Sequence, residues 1–111
     1  MTISNHFNCS KDEFYVKLIN SAQGFQKKKL GWAVTLRVVE EKHEFGTATI
    51  AIFYKEFGVA EYPVGDAHCA YFEENGGTTC NATINLPLSF KLYQGRIKGV
   101  FEDMFEKINN M

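Results

Sequence analysis

The stretch Ala67–Leu86, "AHCAYFEENGGTTCNATINL", decides the fold. Two runs of alternating apolar and polar residues flank Asn75-Gly76-Gly77, residues that tolerate the positive φ a tight turn requires. Ala67–Glu73 is therefore one strand and Thr78–Leu86 its antiparallel return. Cys80, Ala82, Ile84 and Leu86 share one face, and Thr79, Asn81, Thr83 and Asn85 share the other, so one side of the sheet meets water. The register depends on the loop. A two-residue turn at Asn75-Gly76 sets Ala82 opposite Cys69, whereas a three-residue turn including Gly77 sets it opposite Ala70. The longer turn buries Phe72 and leaves Tyr71 outside. Burying a Phe side chain is worth about 2 kcal/mol, so that register is expected.

Just upstream, Asp66, His68 and Cys69 gather an acid, a base and a thiol. Successive strand side chains point to opposite faces, so His68 and Cys69 diverge and form no nucleophile–base pair. Asp66 and His68 do share a face, and Asp66 could orient His68 toward a nucleophile such as Ser89. No GxSxG elbow frames that serine. His68 is expected to be a hydrogen-bonded boundary residue.

Moving outward, Trp32–Val39 alternates with period 2, "EEKHEFG" makes a polar turn, and Phe45–Tyr54 returns as a second strand rich in β-branched residues. Gly58, Pro63 and Gly65 break the segment Glu56–Asp66, which leaves room for a short edge strand at most. Leu86, Leu88, Phe90 and Leu92 keep period 2 past Pro87 and predict a fifth strand. Ser10 and Glu13 form a capping box for a helix over Lys11–Gln23, with Gly24 placed for a left-handed C-terminal cap. From Arg96 onward, Ile97, Val100, Phe101, Met104, Phe105 and Ile108 form the apolar stripe of a closing helix. Lys27–Lys29 is a basic connector. The fold class is α+β: a four- or five-stranded, mostly antiparallel meander with an N-terminal and a C-terminal helix packed on one face, a single domain over residues 1–111.

Composition narrows the function. Ten Phe among 111 residues supply ample apolar area for one core. Twelve basic against thirteen acidic residues, a formal charge of -1, argue against a nucleic-acid partner held by a broad cationic surface. The N-terminal segment lacks the pattern of an export signal and no apolar run could span a bilayer, so a cytoplasmic protein without a membrane partner is expected. Cys9, Cys69 and Cys80 are odd in number and fit reduced thiols, and the Asn8 and Asn81 sequons are then silent. His6, His43 and His68 fall in separate segments, so neither a metal nor another cofactor is expected, and the chain carries no catalytic signature.

In a meander, alternate turns lie at the same end. Glu40, Glu41 and Glu44 of the first turn then join Glu73 and Glu74 of the third in an acidic rim, with Lys27–Lys29 at the opposite end. The open face carries Thr35, Arg37, Thr47, Thr49, Asn81 and Thr83, with Val39 and Tyr71 nearby. Arg37 and Tyr71 are its rigid contact groups. With these features the chain resembles small bacterial toxin-immunity or inhibitor proteins. The resemblance is architectural, covers the whole chain and carries over no motif. It implies a non-catalytic module, monomeric when free, that neutralises a toxin by occlusion. A cationic nuclease would be met by Glu40, Glu41, Glu44, Glu73 and Glu74 acting as a phosphate mimic. Two alternatives are a homodimeric secretion-effector chaperone, and a small enzyme or ligand-binding domain with a pocket near Asp66 and His68.

Overall fold

Asn75 and Gly76 alone make the turn that decides the register. Both carry positive φ, 51° and 76°, the arrangement of a two-residue hairpin whose twist matches its strands. Glu74 therefore pairs with Gly77, and Cys69 with Ala82. This overturns the expected three-residue turn. Tyr71 points into the core at 2% exposure and Phe72 stays outside at 40%. The apolar gain of burying Phe72 loses because Tyr71 is also a large ring, packed 5.4 Å from Phe14, and its hydroxyl finds a partner inside. Gly77 lies closely against the end of the strand Thr2–Phe7 on its other side. A side chain there would run into the Phe7 carbonyl.

The computed structural model describes all of residues 1–111. Six antiparallel strands, β1 (Thr2–Phe7), β2 (Gln26–Lys29), β3 (Trp32–Lys42), β4 (Thr47–Glu56), β5 (Tyr62–Glu74) and β6 (Gly77–Asn85), form one sheet in the order β1-β6-β5-β4-β3-β2. Strands β3 to β6 are the expected meander. Two edge strands were not anticipated: β1 adds to β6, and the basic connector is itself β2, with Lys27 opposite Val34. β5 begins earlier than expected, because a register shift beside Ile52 and Phe53 lets Pro63 sit in the strand opposite Phe53. The expected fifth strand over Leu86–Leu92 is absent. Pro87 is extended, with ψ 156°, and Leu88–Tyr93 turns as a 3₁₀ helix in which Phe90 N–H donates to the Pro87 carbonyl.

Helix α1 (Lys11–Ala22) starts at Ser10, whose hydroxyl accepts from Glu13 N–H at 3.1 Å. Helix α2 (Gln94–Asn109) buries Ile97, Val100, Phe101, Met104, Phe105 and Ile108, the stripe read from the sequence. Both helices cover the same face of the sheet. Their apolar stripes share one cluster with Leu36, Ile50, Ile52, Cys69, Cys80 and Ile84.

The topology gives the molecule two distinct ends. One collects the β3–β4 turn, the β5–β6 turn and the start of α1. The other collects the β2–β3 turn, the β4–β5 loop, the 3₁₀ segment Leu88–Tyr93 and the start of α2.

Candidate functional site at the acidic end

The β3–β4 connection is short and polar, and it closes as a 3₁₀ turn, His43–Phe45, ended by Gly46 at φ 67°. That turn holds His43 between two other elements. Its Nε2 lies 2.7 Å from Asp12 Oδ1 on α1, and its Nδ1 lies 2.9 Å from the Tyr71 hydroxyl on β5. A carboxylate can only accept, so Nε2 carries a proton, and in the neutral ring Nδ1 accepts the Tyr71 O–H. Tyr15 stacks on the imidazole with ring centroids 4.1 Å apart, and its own hydroxyl donates to Glu41. The Gly46 carbonyl accepts Tyr71 N–H at 2.8 Å, which fixes the turn against β5 through the backbone too.

These contacts tune the phenols. Burial, with the nearby Tyr15, Cys80, Glu41 and Glu44 groups adding to it, pushes Tyr71 up to about 12. Tyr15 is also raised, first by its hydrogen bond to Glu41 and then by desolvation. Both phenols are neutral hydrogen-bond donors under ordinary conditions. Neither is an activated nucleophile.

All five glutamates of the expected rim are exposed at this end. Glu40 lies 3.8 Å from Lys42, Glu41 receives the Tyr15 hydroxyl, and Glu74 accepts from Thr79 at 2.9 Å. Thr79 also lies 3.0 Å from His6 Nδ1, and a cleft of about 280 Å³ opens here between Ser4, His6, Glu74 and Asn75. Asp12 and Glu13, in the first turn of α1, extend the rim beyond what the sequence indicated.

Of the two contact groups expected on the open sheet face, Arg37 is there and Tyr71 is not. Tyr71 lies beneath the rim instead of on the open face, as the two-residue turn requires. Arg37 is on the open face, paired with Glu61 at 2.7 Å and stacked 4.3 Å over Phe53, toward the opposite end. Asp66 and His68 are both exposed on the open sheet face, where Asp66 accepts from Asn85 Nδ2 at 3.3 Å. Cys69 is buried on the other face beside Cys80, whose thiol is pushed up by its hydrogen bond to Cys69 and by burial. That geometry keeps the pair as inert thiols.

Sequence reasoning missed Asp12, Tyr15 and His43 as a unit. Asp12 and Tyr15 are three apart on a helix, which places them on one side of α1 and was a usable signal. Nothing local says that the β3–β4 turn docks there.

No protein-family model matches the chain, and no curated protein matches it in sequence. Solved structures do match in shape. DynU16, a protein of the dynemicin biosynthetic locus, superposes with a TM-score of 0.64 at 10% identity over 99% of this chain and 45% of its own. Protein Ms6760 from Mycobacterium smegmatis gives 0.64 at 13% identity over 97% of this chain and 85% of its own. The likeness is one of fold. The chain spans less than half the length of DynU16.

Proposed function

We propose that the chain is a non-catalytic binding module, an immunity or inhibitor protein that neutralises a cationic protein, such as a nuclease toxin, by covering it with the acidic end. The supporting observation is the position of His43. It ties together the three elements that carry the carboxylates: Glu40, Glu41 and Glu44 around its own turn, Asp12 and Glu13 on α1, and Glu73 and Glu74 on β5. A rim fixed before the encounter loses little freedom on binding, and its field speeds association with a basic surface. A reducing, cytoplasmic setting belongs to the same proposal, since Cys69 and Cys80 sit as hydrogen-bonded thiols in the core.

The test is affinity capture from the native host, followed by association kinetics across a salt series. Glu41→Lys combined with Glu73→Lys should slow association at least tenfold at low salt, and added salt should slow the unmodified protein. Unchanged rates in the double reversal would remove the rim from the interface.

A further inference from the structure

The end opposite the acidic rim is built differently. Leu30 and Phe57 stand almost wholly in solvent, 103% and 91% exposed, on adjoining turns joined by a hydrogen bond from Phe57 N–H to the Gly31 carbonyl at 2.9 Å. Leu88 and Leu92, 88% and 92% exposed, stand on the 3₁₀ segment at the same end. That segment is anchored by Phe90, whose ring lies 4.9 Å from the buried Tyr54. One bare leucine on a surface is ordinary. Four large apolar side chains, each at least 88% exposed and all at one end, are barer than any other large apolar residue of the chain, the next being Phe45 at 73%, and mark an interaction surface.

Charge tells what the surface meets. Lys28, Lys29 and Lys55 line an open concavity of about 460 Å³ together with Trp32, Leu30 and Phe57, and Lys91 lies between the two exposed leucines in the chain. None of these four lysines is ion-paired. Of the nearby acids, Glu61 is held by Arg37 at 2.7 Å, and Glu56 is the one carboxylate lining the concavity. Leu30 and Phe57 border the concavity, but Leu88 and Leu92 lie outside it on another segment, so the four do not form the one continuous apolar trough that an amphipathic helix of a protein partner would need. Bare apolar tips among free ammonium groups suit an interface whose acyl boundary accepts Leu and Phe and whose phosphates accept Lys.

The geometry points to peripheral docking of this end on an anionic lipid bilayer, with Leu30, Phe57, Leu88 and Leu92 inserting and Lys28, Lys29 and Lys55 contacting headgroups. The sequence led to the expectation of no membrane partner because it has no spanning run. No helix is long and apolar enough to cross, and docking requires none. The surface shares no residue with the acidic end, so it stands or falls independently of the protein-binding proposal.

The experiment uses the full chain with unilamellar vesicles of phosphatidylglycerol and phosphatidylcholine, or of phosphatidylcholine alone. The protein should sediment with the anionic vesicles at low salt and release at high salt. Trp32, the sole tryptophan, should shift to the blue on binding, which reports insertion at this end. Leu30→Asp with Phe57→Asp should lower partitioning at least tenfold. Lys28→Glu with Lys29→Glu should lower it several-fold, and Glu41→Lys with Glu73→Lys should not weaken it. All of the altered side chains are exposed, and an unchanged circular-dichroism melt confirms the fold of each variant. The proposal is overturned if anionic vesicles fail to sediment the folded protein, if phosphatidylcholine vesicles bind it equally well, or if the Leu30/Phe57 variant binds like the unmodified chain. It is also overturned if an acidic amphipathic peptide binds this end while vesicles do not.

Discussion

Two buried tyrosines on adjacent strands, Tyr54 at the basic end and Tyr71 at the acidic end, use the same device with opposite electrostatics. Each is at most 2% exposed, and each hydroxyl is held by a nitrogen side chain from another element: Tyr54 accepts from Arg96 of α2, and Tyr71 donates to His43 of the β3–β4 turn. Arg96 keeps its charge and lies 5.0 Å over Trp32 and 4.7 Å over Tyr93, so the basic end is fastened by a fixed cation among aromatic rings. His43 can hold both of its bonds as a neutral ring. The acidic end is therefore fastened without adding permanent positive charge to the carboxylates around it. The same core thus carries two ends of opposite sign, each closed by a partner that preserves that sign.

The core between the two ends sets the scale for testing this contrast. Phe101 is fully buried, and Phe101→Ala should cost about 3–5 kcal/mol in denaturant unfolding. A loss under about 1 kcal/mol would mean that α2 does not cover the sheet. Next come the paired deletions of one oxygen. Tyr54→Phe removes a bond from a charged donor and should cost about 1.5 kcal/mol, while Tyr71→Phe removes one to an imidazole and should cost about 1 kcal/mol or less. The reverse ranking would break the comparison.

Alkaline titration sharpens it. Tyr71 is pushed up to about 12 from an ordinary 10, so the folded state holds that proton more tightly than the unfolded chain does. Its contribution to stability is complete below pH 10 and is lost as the pH climbs through about 12. Tyr71→Phe should therefore lose less stability over that window, and the last phenolate absorbance step should disappear. Tyr54 is raised as well, mainly by desolvation, but Arg96 opposes the shift, so Tyr54→Phe should change the alkaline profile less. The smallest effect is expected at the rim itself. Glu41→Lys with Glu73→Lys should change stability by less than about 1 kcal/mol, since exposed charges contribute little to folding.

Much of this architecture is written locally. The Ser10 cap, the α2 stripe and the β3–β4 and β5–β6 hairpins follow from spacing, because hydrogen-bond geometry and apolar periodicity act over a few residues. The errors arose where a choice depends on distant partners. Tyr71 and Phe72 compete for one face, and the winner is set by His43 and Phe14 from other elements. Lys27–Lys29 has no strand-like composition. It is a strand because Trp32–Thr35 offers an edge, with Gln26 Nε2 donating to Thr35 Oγ1 at 2.9 Å. The glutamates of the rim were legible because meander topology alone groups them. The His43 junction was not, since it is a tertiary contact among Asp12, Tyr15 and Tyr71 with no pattern of its own.

The pairing of β1 with β6 bears on how the molecule assembles. Thr2 faces Thr83 and Phe7 faces Thr78, so the opening strand has no partner until β6 has been synthesised, whereas β2 to β6 can zip hairpin by hairpin. α2 follows later still, and it supplies six side chains to the core. Until β6 has emerged, β1 has no strand to pair with and β5 is an open edge, and until α2 has emerged the apolar face can be covered only by α1. A chain at that stage is exposed to edge-to-edge association. Contacts of such long sequence separation form slowly, so the β1–β6 ladder and the docking of α2 are expected to close late in folding.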